Sequence, residues 1–316
     1  MENGKIRRTD IIAVGNQKGG VGKTTNTVHI AAALAKLGRK CLIIDLDMNQ
    51  GATRHFGIPK EGFLGTYEML AGDEQPEDLI LSDGENDIEL PENVDIIPAR
   101  RNLEKIDKAL LSINKFIIAQ DVLLKPLKTL DGRYDYIFLD TAPNATTPTI
   151  AAYKAAHYFI LTAMPDPFAI EGLNDALTDI QGAQQNGNER LRLLGVVLAG
   201  VEGRKTRLAS SLISYVERQF STGGEESAKF HTTISRSTVI PTAQKLGKTV
   251  FQTNPEHKIC EEYLALAKEI EFRLGRPPLE EQAVTKAKRG RPKKQVAVSV
   301  EAMEEELELE EVAANG

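Results

Sequence analysis

The chain has 316 residues, of which 41 % are hydrophobic and 27 % are charged, and this composition excludes a wholly disordered protein. Its formal net charge of −6 excludes a uniformly basic nucleic-acid binder, although not a local basic patch. Two cysteines are too few for a disulfide framework or a four-thiolate metal site. No apolar run approaches the roughly 18 residues of a membrane span, and the N-terminus lacks the apolar stretch of a signal peptide. We therefore expect a soluble, cytoplasmic protein.

Short apolar runs and helical segments alternate along the first 275 residues. The runs lack polar alternation, which predicts strands that are buried on both faces. The predicted strands are Ile11–Val14, Cys41–Ile44, Val94–Ile97, Tyr136–Leu139, Tyr158–Thr162 and Leu194–Leu198. The predicted helices are Thr24–Leu37, Leu103–Ala109, Asn114–Leu127, Ala169–Gln181, Arg207–Phe220 and Pro255–Leu274. This order predicts an α/β fold with a doubly wound, mostly parallel sheet, helices on both faces, and ligands at the carboxyl ends of the strands.

The last 41 residues differ in composition from the rest of the chain. Arg276-Pro277-Pro278 cannot continue the preceding helix, because proline lacks an amide donor and clashes with the previous turn. Residues 286–294 hold six basic side chains in nine, and residues 301–311 hold seven acidic side chains in eleven. Opposed charge blocks of this kind are typical of tails. We therefore predict one domain over residues 1–275 and a flexible tail over residues 276–316.

The first predicted strand runs into a glycine-rich segment, Gly15–Thr25, that opens the first predicted helix. A strand, a glycine-rich loop and a helix in this order are the context of a phosphate-binding loop. Glycines let backbone amides turn towards an anion, and the helix N-terminus adds partial positive charge. Lys23 is placed to reach the β- and γ-phosphates of a nucleotide, and the Thr24 hydroxyl can ligate Mg²⁺.

Carboxylates end two other predicted strands. Asp45 and Asp47 are spaced so that both side chains face the same side of a strand, where they can hold Mg²⁺ waters or orient an attacking water. Asp140 follows the apolar strand Tyr136–Leu139, which is the pattern of an aspartate that holds Mg²⁺ through water. The three carboxylates extend the predicted nucleotide–Mg²⁺ site.

The segment from Lys18 to Thr25 resembles the deviant Walker A motif of the ParA/MinD family of ATPases. Its residues are Lys18, Gly19, Gly20, Val21, Gly22, Lys23, Thr24 and Thr25. Asp140-Thr141-Ala142-Pro143 and Met164–Leu173 also resemble family segments, and the resemblance covers roughly residues 9–275. Segments near the end of this range are similar to the corresponding segments of the family members that partition DNA. At the other end, the residues before Ile11 are too few for the helix-turn-helix domain of the larger members.

This resemblance implies an ATPase that binds ATP and Mg²⁺ through residues 18–25 and forms an ATP-dependent homodimer. Lys18 would reach across the dimer interface to the partner's nucleotide, and Lys23 would neutralise phosphate charge. Asp47 would position the hydrolytic water, while Thr24, Asp45 and Asp140 would support the metal. Family members usually carry proline after the second aspartate, whereas this chain has Met48-Asn49-Gln50 there.

Other members of the wider superfamily offer two alternative interpretations, a nitrogenase-type protein and a MinD-like protein. A nitrogenase-type protein needs cysteines in loops at strand ends, but Cys41 opens a predicted strand and Cys260 lies on a predicted helix, where both are expected to be buried. A MinD-like protein needs a basic amphipathic helix at the C-terminus, whereas residues 301–316 are acidic and anionic lipid would repel them. We therefore favour DNA over a membrane as the surface that the protein binds.

Two basic regions support binding to DNA. Lys205 aligns with a DNA-binding basic residue of ParA proteins. Basic side chains of this kind can bind the phosphates of the DNA backbone without contacting the bases. The full candidate patch is Arg204, Lys205, Arg207, Arg236 and Lys248, with Lys245 as a possible extension. In the tail, Arg289-Gly290-Arg291-Pro292 resembles an AT-hook, in which two arginines lie along a narrow A·T minor groove.

The sequence thus predicts a nucleoid-associated ATPase that moves a plasmid, a chromosome or another cargo together with a ParB-like activating partner. Two alternatives stay open. One is a membrane-cycling ATPase of the MinD type. The other is a nucleotide switch that is tethered to DNA and hydrolyses ATP negligibly.

Overall fold

The computed structural model describes residues 8–113, 119–202, 207–219 and 227–277, all of them within one compact unit that spans residues 1–278. These residues form a sheet with the strand order β3-β2-β4-β1-β5-β6-β7, in which all neighbouring strands are parallel. The strands are β1 (Asp10–Gly15), β2 (Cys41–Leu46), β3 (Val94–Ile97), β4 (Tyr136–Thr141), β5 (Tyr158–Ala163), β6 (Arg192–Val201) and β7 (Lys229–Ser235). The predicted α/β fold with a doubly wound parallel sheet is confirmed.

Helices cover both faces of the sheet. They are α1 (Lys23–Lys36), α2 (Gly51–His55), α3 (Thr66–Ala71), α4 (Ile106–Ile113), α5 (Leu124–Thr129), α6 (Thr147–Ala155), α7 (Ala169–Gln185), α8 (Arg207–Gln219), α9 (Val239–Lys245), α10 (Val250–Thr253) and α11 (Lys258–Arg273). Side chains alternate between the two cores, since Ile12 packs with α1 and α11 whereas Ala13 packs with α6 and α7. Within the described residues, none of the helices is both long and apolar enough to cross a bilayer.

All six predicted strands are present, and the structure adds β7 at one edge of the sheet. This strand has the sequence Lys-Phe-His-Thr-Thr-Ile-Ser, and only Phe230 and Ile234 of it are buried. Its pairing with β6 is irregular, and the carboxylate of Glu269 on α11 accepts hydrogen bonds from the backbone amides of His231 and Thr232. An edge strand that is exposed on one side does not show the apolar run that identified the others.

One helix prediction was wrong. The sequence predicted a single helix over Asn114–Leu127, of which residues 114–118 lie outside the described residues. The remainder consists of a 3₁₀ turn at Ala119–Asp121 followed by α5, which begins only at Leu124. The physical reason is Pro126, which lacks an amide donor and is tolerated in the first turn of a helix but not in its interior.

The described chain ends where α11 meets the amino ends of the strands. Arg276 donates to the Asp10 carboxylate at 2.8 Å and to the backbone oxygen of Asp135 at 2.9 Å, and its guanidinium lies 4.5 Å from the centroid of the Tyr136 ring. Residues 278–316, with both charge blocks, lie outside the described residues. The boundary after residue 275 and the separate tail therefore stay predictions.

Candidate functional site

The phosphate-loop segment lies between β1 and α1 at the carboxyl end of the sheet. Gly20 and Gly22 have φ values of 77° and 86°, a left-handed conformation that favours glycine. Open space surrounds the positions where Gly19 and Gly20 would carry a Cβ, since no heavy atom lies within 4 Å. The loop therefore leaves uncrowded space at Gly19 and Gly20, ahead of the amino end of α1, as the approach of a phosphate group requires.

Lys23, the first residue of α1, is buried next to the phosphate loop. Its ammonium group donates to the backbone oxygen of Lys18 at 2.9 Å, which closes the loop on itself. Burial lowers the pKa of Lys23, and the carboxylates of Asp140 and Asp47 act in the opposite direction by favouring the charged form. Lys23 thus lies beneath the loop, close to the carboxylates of Asp140 and Asp47. Its ammonium group is beside the loop that would bind the phosphates.

Asp140 ends β4 directly below the first turn of α1. The Thr24 hydroxyl donates to its carboxylate at 2.8 Å, and the Thr27 hydroxyl does so at 3.1 Å. Burial raises the pKa of Asp140, and the charge of nearby Asp45 raises it further. A buried carboxylate with a raised pKa would gain from a cation placed against it, because the cation would offset the negative charge.

Asp45, near the end of β2, and Asp47, just after it, organise the loop that follows the strand. Asp45 is fully buried and accepts hydrogen bonds from the Thr53 amide at 2.9 Å, the Thr53 hydroxyl at 2.7 Å and the Asp47 amide at 3.1 Å. Asp47 uses its Oδ1 atom to accept from the backbone and side-chain nitrogens of Asn49, each at 2.9 Å. Among the described residues nothing donates to Asp47 Oδ2, so that oxygen is left for another partner.

The segment that departs from the family pattern adopts a defined turn. Gln50 has a φ of 60°, an uncommon value for a residue other than glycine, and its amide donates to the backbone oxygen of Asp47 at 2.7 Å. Its side chain donates to the backbone oxygen of Ala99 at 3.1 Å. Asn49 and Gln50 therefore fix the conformation of the Asp47 loop without the usual proline.

Lys18 lies on the outer side of the phosphate loop and forms an ion pair with Asp166, which follows β5. Its ammonium group is also 5.3 Å from the centroid of the Phe168 ring. Asn16 shapes this part of the loop, since its Oδ1 accepts from the Lys18 amide at 2.8 Å and its Nδ2 donates to the backbone oxygen of Thr162 at 2.8 Å. In the isolated chain, Lys18 thus points towards the β5 loop.

The residues present fit a nucleotide with Mg²⁺. The glycine-rich loop would hold the phosphates. Thr24 and Asp140 supply the oxygen ligands that a hard cation such as Mg²⁺ prefers. Throughout the described ranges, no group of three or more His, Cys, Asp or Glu side chains could hold a metal ion alone. Mg²⁺ would therefore take most of its ligands from phosphates and water, which is how nucleotide sites usually bind it.

The sheet topology explains why these residues meet. The order β2-β4-β1-β5 places four strand ends side by side, and Asp45 is the register partner of Asp140 on the neighbouring strand. The predicted residues Lys18 to Thr25, Asp45, Asp47 and Asp140 all lie at this edge. Sequence reasoning assigned no role to three side chains that the site uses, namely Asn16, Thr53 and Asp166. Asn16 could have been found from its place inside the loop, but Asp166 is 148 positions from Lys18.

Two of the predicted DNA contacts form ion pairs with acidic side chains in the structure. Arg236 pairs with Glu202 at 3.4 Å and Lys248 pairs with Glu89 at 2.6 Å, so an acidic side chain already balances each of them. Arg207 begins α8 and is exposed. The other predicted contacts lie outside the described residues, and they are Arg204, Lys205, Arg289 and Arg291.

The fold and the loop define a P-loop nucleotide-binding protein with a parallel sheet. A family model described as an AAA domain matches residues 9–193. The chain is 32 % identical to the sporulation initiation inhibitor protein Soj of Bacillus subtilis over 82 % of its own length and 97 % of Soj. It is 31 % identical to the chromosome-partitioning ATPase Soj of Thermus thermophilus over 87 % of its own length and 99 % of that protein.

The chain belongs to the ParA family of partition ATPases. Among solved structures, it is similar to cobyrinic acid a,c-diamide synthase from Mycobacterium smegmatis, which was determined with a bound ATP analogue and magnesium. The TM-score is 0.70 at 25 % identity, and the match covers 85 % of this chain and 97 % of that one. The fold thus supports the binding of a nucleotide and magnesium.

Proposed function

We propose that this protein is an ATPase that holds ATP and Mg²⁺ between two copies of itself, binds DNA without sequence preference in that state, and is activated by a ParB-like partner. The cycle would move a cargo along the nucleoid. The observation that carries the proposal is the presence of two lysines on one phosphate loop. Lys23 is buried beneath the glycines, and Lys18 is directed outwards from them.

The two lysines would share the neutralisation of phosphate charge. Lys23 would exchange its bond to the Lys18 carbonyl for the β- and γ-phosphates of its own nucleotide. Lys18 would leave Asp166 and reach the nucleotide of the partner subunit. Each active site would then be complete only in the dimer, and turnover would be slow without a partner protein that stabilises the assembled state.

The carboxylates would divide the remaining work. When bound, Mg²⁺ would supply positive charge that offsets the charge developing on the transferred phosphoryl group. Thr24 and Asp140 would hold its shell, and Asp45 would contribute by fixing Thr53 and the Asp47 loop. Asp47 would orient the attacking water through Oδ2, because Asn49 occupies Oδ1 and holds the carboxylate in place.

For DNA binding we propose a surface that forms fully only in the dimer. Arg236 and Lys248 each pair with a glutamate in the single chain, so nucleotide-driven rearrangement would have to release them. Arg207, Arg204, Lys205 and the tail arginines Arg289 and Arg291 would add to this surface. Nonspecific binding of this kind is electrostatic, so it should weaken as salt increases.

A gel shift on nonspecific duplex DNA tests this proposal. We expect a shift with ATP or a nonhydrolysable analogue and none with ADP, and we expect DNA together with the cognate partner to increase phosphate release. Binding to anionic liposomes but not to DNA would instead show a membrane-cycling ATPase. DNA binding with no phosphate release under any condition would show a nucleotide switch.

A further inference from the structure

A groove of about 490 Å³ lies at the amino ends of the central strands, at the opposite end of the sheet from the phosphate loop. The side chains that line it are Arg8, His157, Tyr158, Arg190 and Arg192, and none of them is acidic. We call this concavity the amino-end groove. None of its residues takes part in the nucleotide site, so that site does not explain the groove.

The sheet register brings the lining residues together. Tyr158 at the start of β5 pairs with Ile12 of β1 on one side and with Arg192 of β6 on the other. The Arg192 amide donates to the His157 backbone oxygen at 3.2 Å. Parallel strands that start at the same level thus build the floor of the groove, and rigid elements of this kind hold side chains in place.

The side chains that line the groove offer hydrogen-bond donors. The Ile11 amide donates to Nδ1 of His157 at 3.2 Å, so the proton of the neutral ring must be on Nε2. Burial lowers the pKa of His157, which favours this neutral form. Arg8 donates to the Tyr158 hydroxyl oxygen at 3.2 Å, which leaves the phenolic proton to point elsewhere. The residues that line the groove can therefore donate through a histidine N–H, a phenol O–H and three guanidinium groups.

The positive charge of the groove is only partly balanced. Arg8 pairs with Asp10 at 3.2 Å, which holds its guanidinium in place beside Tyr158. Arg190 and Arg192 are exposed, and no carboxylate of the described residues pairs with either of them. Arg190 and Arg192 differ in this respect from the predicted DNA contacts Arg236 and Lys248, each of which has an acidic partner.

We propose that the amino-end groove binds a phosphate group, with Arg190 and Arg192 supplying charge and His157, Tyr158 and Arg8 supplying oriented donors. Phosphate suits this set because its oxygens accept several hydrogen bonds at once and match the planar fork of arginine. The phosphate would come from a nucleic-acid backbone or from a small phosphorylated compound. The site is separate from the ATP site and does not depend on the function proposed above.

A ³¹P NMR titration of inorganic phosphate against the full chain tests the site directly. The protein is first saturated with ADP and Mg²⁺, so that the phosphate loop does not take up the probe. We expect saturable line broadening with the wild-type protein and at least tenfold weaker binding in the double variant Arg190→Gln/Arg192→Gln. The matched control is Arg218→Gln/Lys268→Gln, which removes the same charge from exposed positions elsewhere and should bind phosphate as the wild type does.

A second titration identifies the source of the phosphate. The anisotropy of a labelled duplex is measured against salt with a nonhydrolysable ATP analogue present. A backbone source predicts that the Arg190→Gln/Arg192→Gln variant binds DNA more weakly and has a log–log salt slope shallower by about 2. Weaker phosphate binding with unchanged DNA binding supports a small phosphorylated ligand. Equal phosphate binding by both double variants overturns the proposal, as does a groove that binds a polyglutamate peptide but no phosphate.

The test of the groove can fail or succeed independently of the test of the proposed function. A protein that binds no DNA under any nucleotide condition would contradict the proposed function. The phosphate titration would still decide the groove, because it needs neither DNA nor ATP hydrolysis.

Discussion

The ammonium group of Lys18 forms an ion pair with the carboxylate of Asp166 in the same chain. This contact joins the phosphate loop after β1 to the loop after β5. A lysine that is to act on a partner's nucleotide must first give up this carboxylate. In the proposed cycle, the pair would therefore favour the separate subunit over the ATP-bound dimer.

Asp166→Asn should strengthen ATP-dependent self-association. The asparagine oxygen can still accept the Phe168 amide, which donates to Asp166 Oδ1 at 2.8 Å, so the loop keeps its shape while the charge is lost. A partly exposed ion pair is worth up to about 1 kcal/mol, which corresponds to roughly a fivefold change in the dimer dissociation constant. Sedimentation velocity with a nonhydrolysable analogue measures it. Asp175→Asn, which removes an exposed charge on the following helix α7, is the control and should have no effect. Weaker association of Asp166→Asn would show that Asp166 supports the dimer instead.

Gly51→Ala should weaken the binding of Mg²⁺-nucleotide. A Cβ at Gly51 would lie 2.6 Å from the Thr24 hydroxyl, which must then rotate away from Asp140. The loss of one hydrogen bond to a charged group corresponds to roughly a tenfold weaker affinity. Calorimetric titration of ADP with and without Mg²⁺ would show the loss mainly in the presence of the metal.

The matched control for this change is Gly182→Ala on α7, where an added Cβ meets nothing within 4 Å. It should leave nucleotide affinity unchanged and, as a helical glycine-to-alanine change, slightly raise stability. Equal affinities for the two glycine variants would contradict the importance of the contact between Thr24 and Asp140.

Two buried histidines should make the fold sensitive to mild acid. Burial lowers the pKa of His29 from 6.5 to about 4 and that of His55 from 6.5 to about 3. The unfolded chain binds protons near pH 6.5, so between about pH 6.5 and 4 it holds more of them than the folded chain does. Stability should therefore fall as the pH falls through this window. Urea unfolding midpoints at pH 7 and pH 5 measure the loss.

Replacing His55 should remove part of this sensitivity. Neither ring nitrogen of His55 makes a hydrogen bond of normal geometry, and the Lys248 backbone offsets only part of the effect of burial on the His55 pKa, so His55→Leu removes a buried polar group at little cost. We expect the variant to be at least as stable at pH 7 and to lose less stability at pH 5. His231→Leu, at an exposed position on β7, is the control. An unchanged difference between the two pH values in His55→Leu would mean that other groups cause the acid sensitivity.

The sequence was informative wherever a local pattern determines the structure. The apolar runs located six strands, because a strand buried on both faces carries mostly apolar side chains. Gly20, Gly22 and Lys23 identified the phosphate loop, because only glycine adopts the required backbone without cost. Asp45 and Asp140 followed from the rule that ligands lie at the carboxyl ends of parallel strands.

Features that depend on distant residues could not be predicted in this way. The ion pair of Lys18 with Asp166 and the hydrogen bonds of Asp45 with Thr53 arise only once the loops are packed together. β7 was missed because α11 satisfies its edge through Glu262 and Glu269, which leaves its sequence free to be polar. The amino-end groove was missed for the same reason, since Arg8 and Arg192 are brought together only by the order of the strands.

The requirement for Lys18 in ATP-dependent pairing can be measured directly. Sedimentation velocity and phosphate release should be measured for the wild type, Lys18→Ala and the exposed control Lys36→Ala, each with Mg²⁺-ATP. We expect Lys18→Ala to bind ADP but to stay monomeric and lose at least tenfold in turnover, whereas Lys36→Ala should behave like the wild type. A Lys18→Ala protein that pairs and hydrolyses ATP at wild-type levels would contradict the proposed role of Lys18.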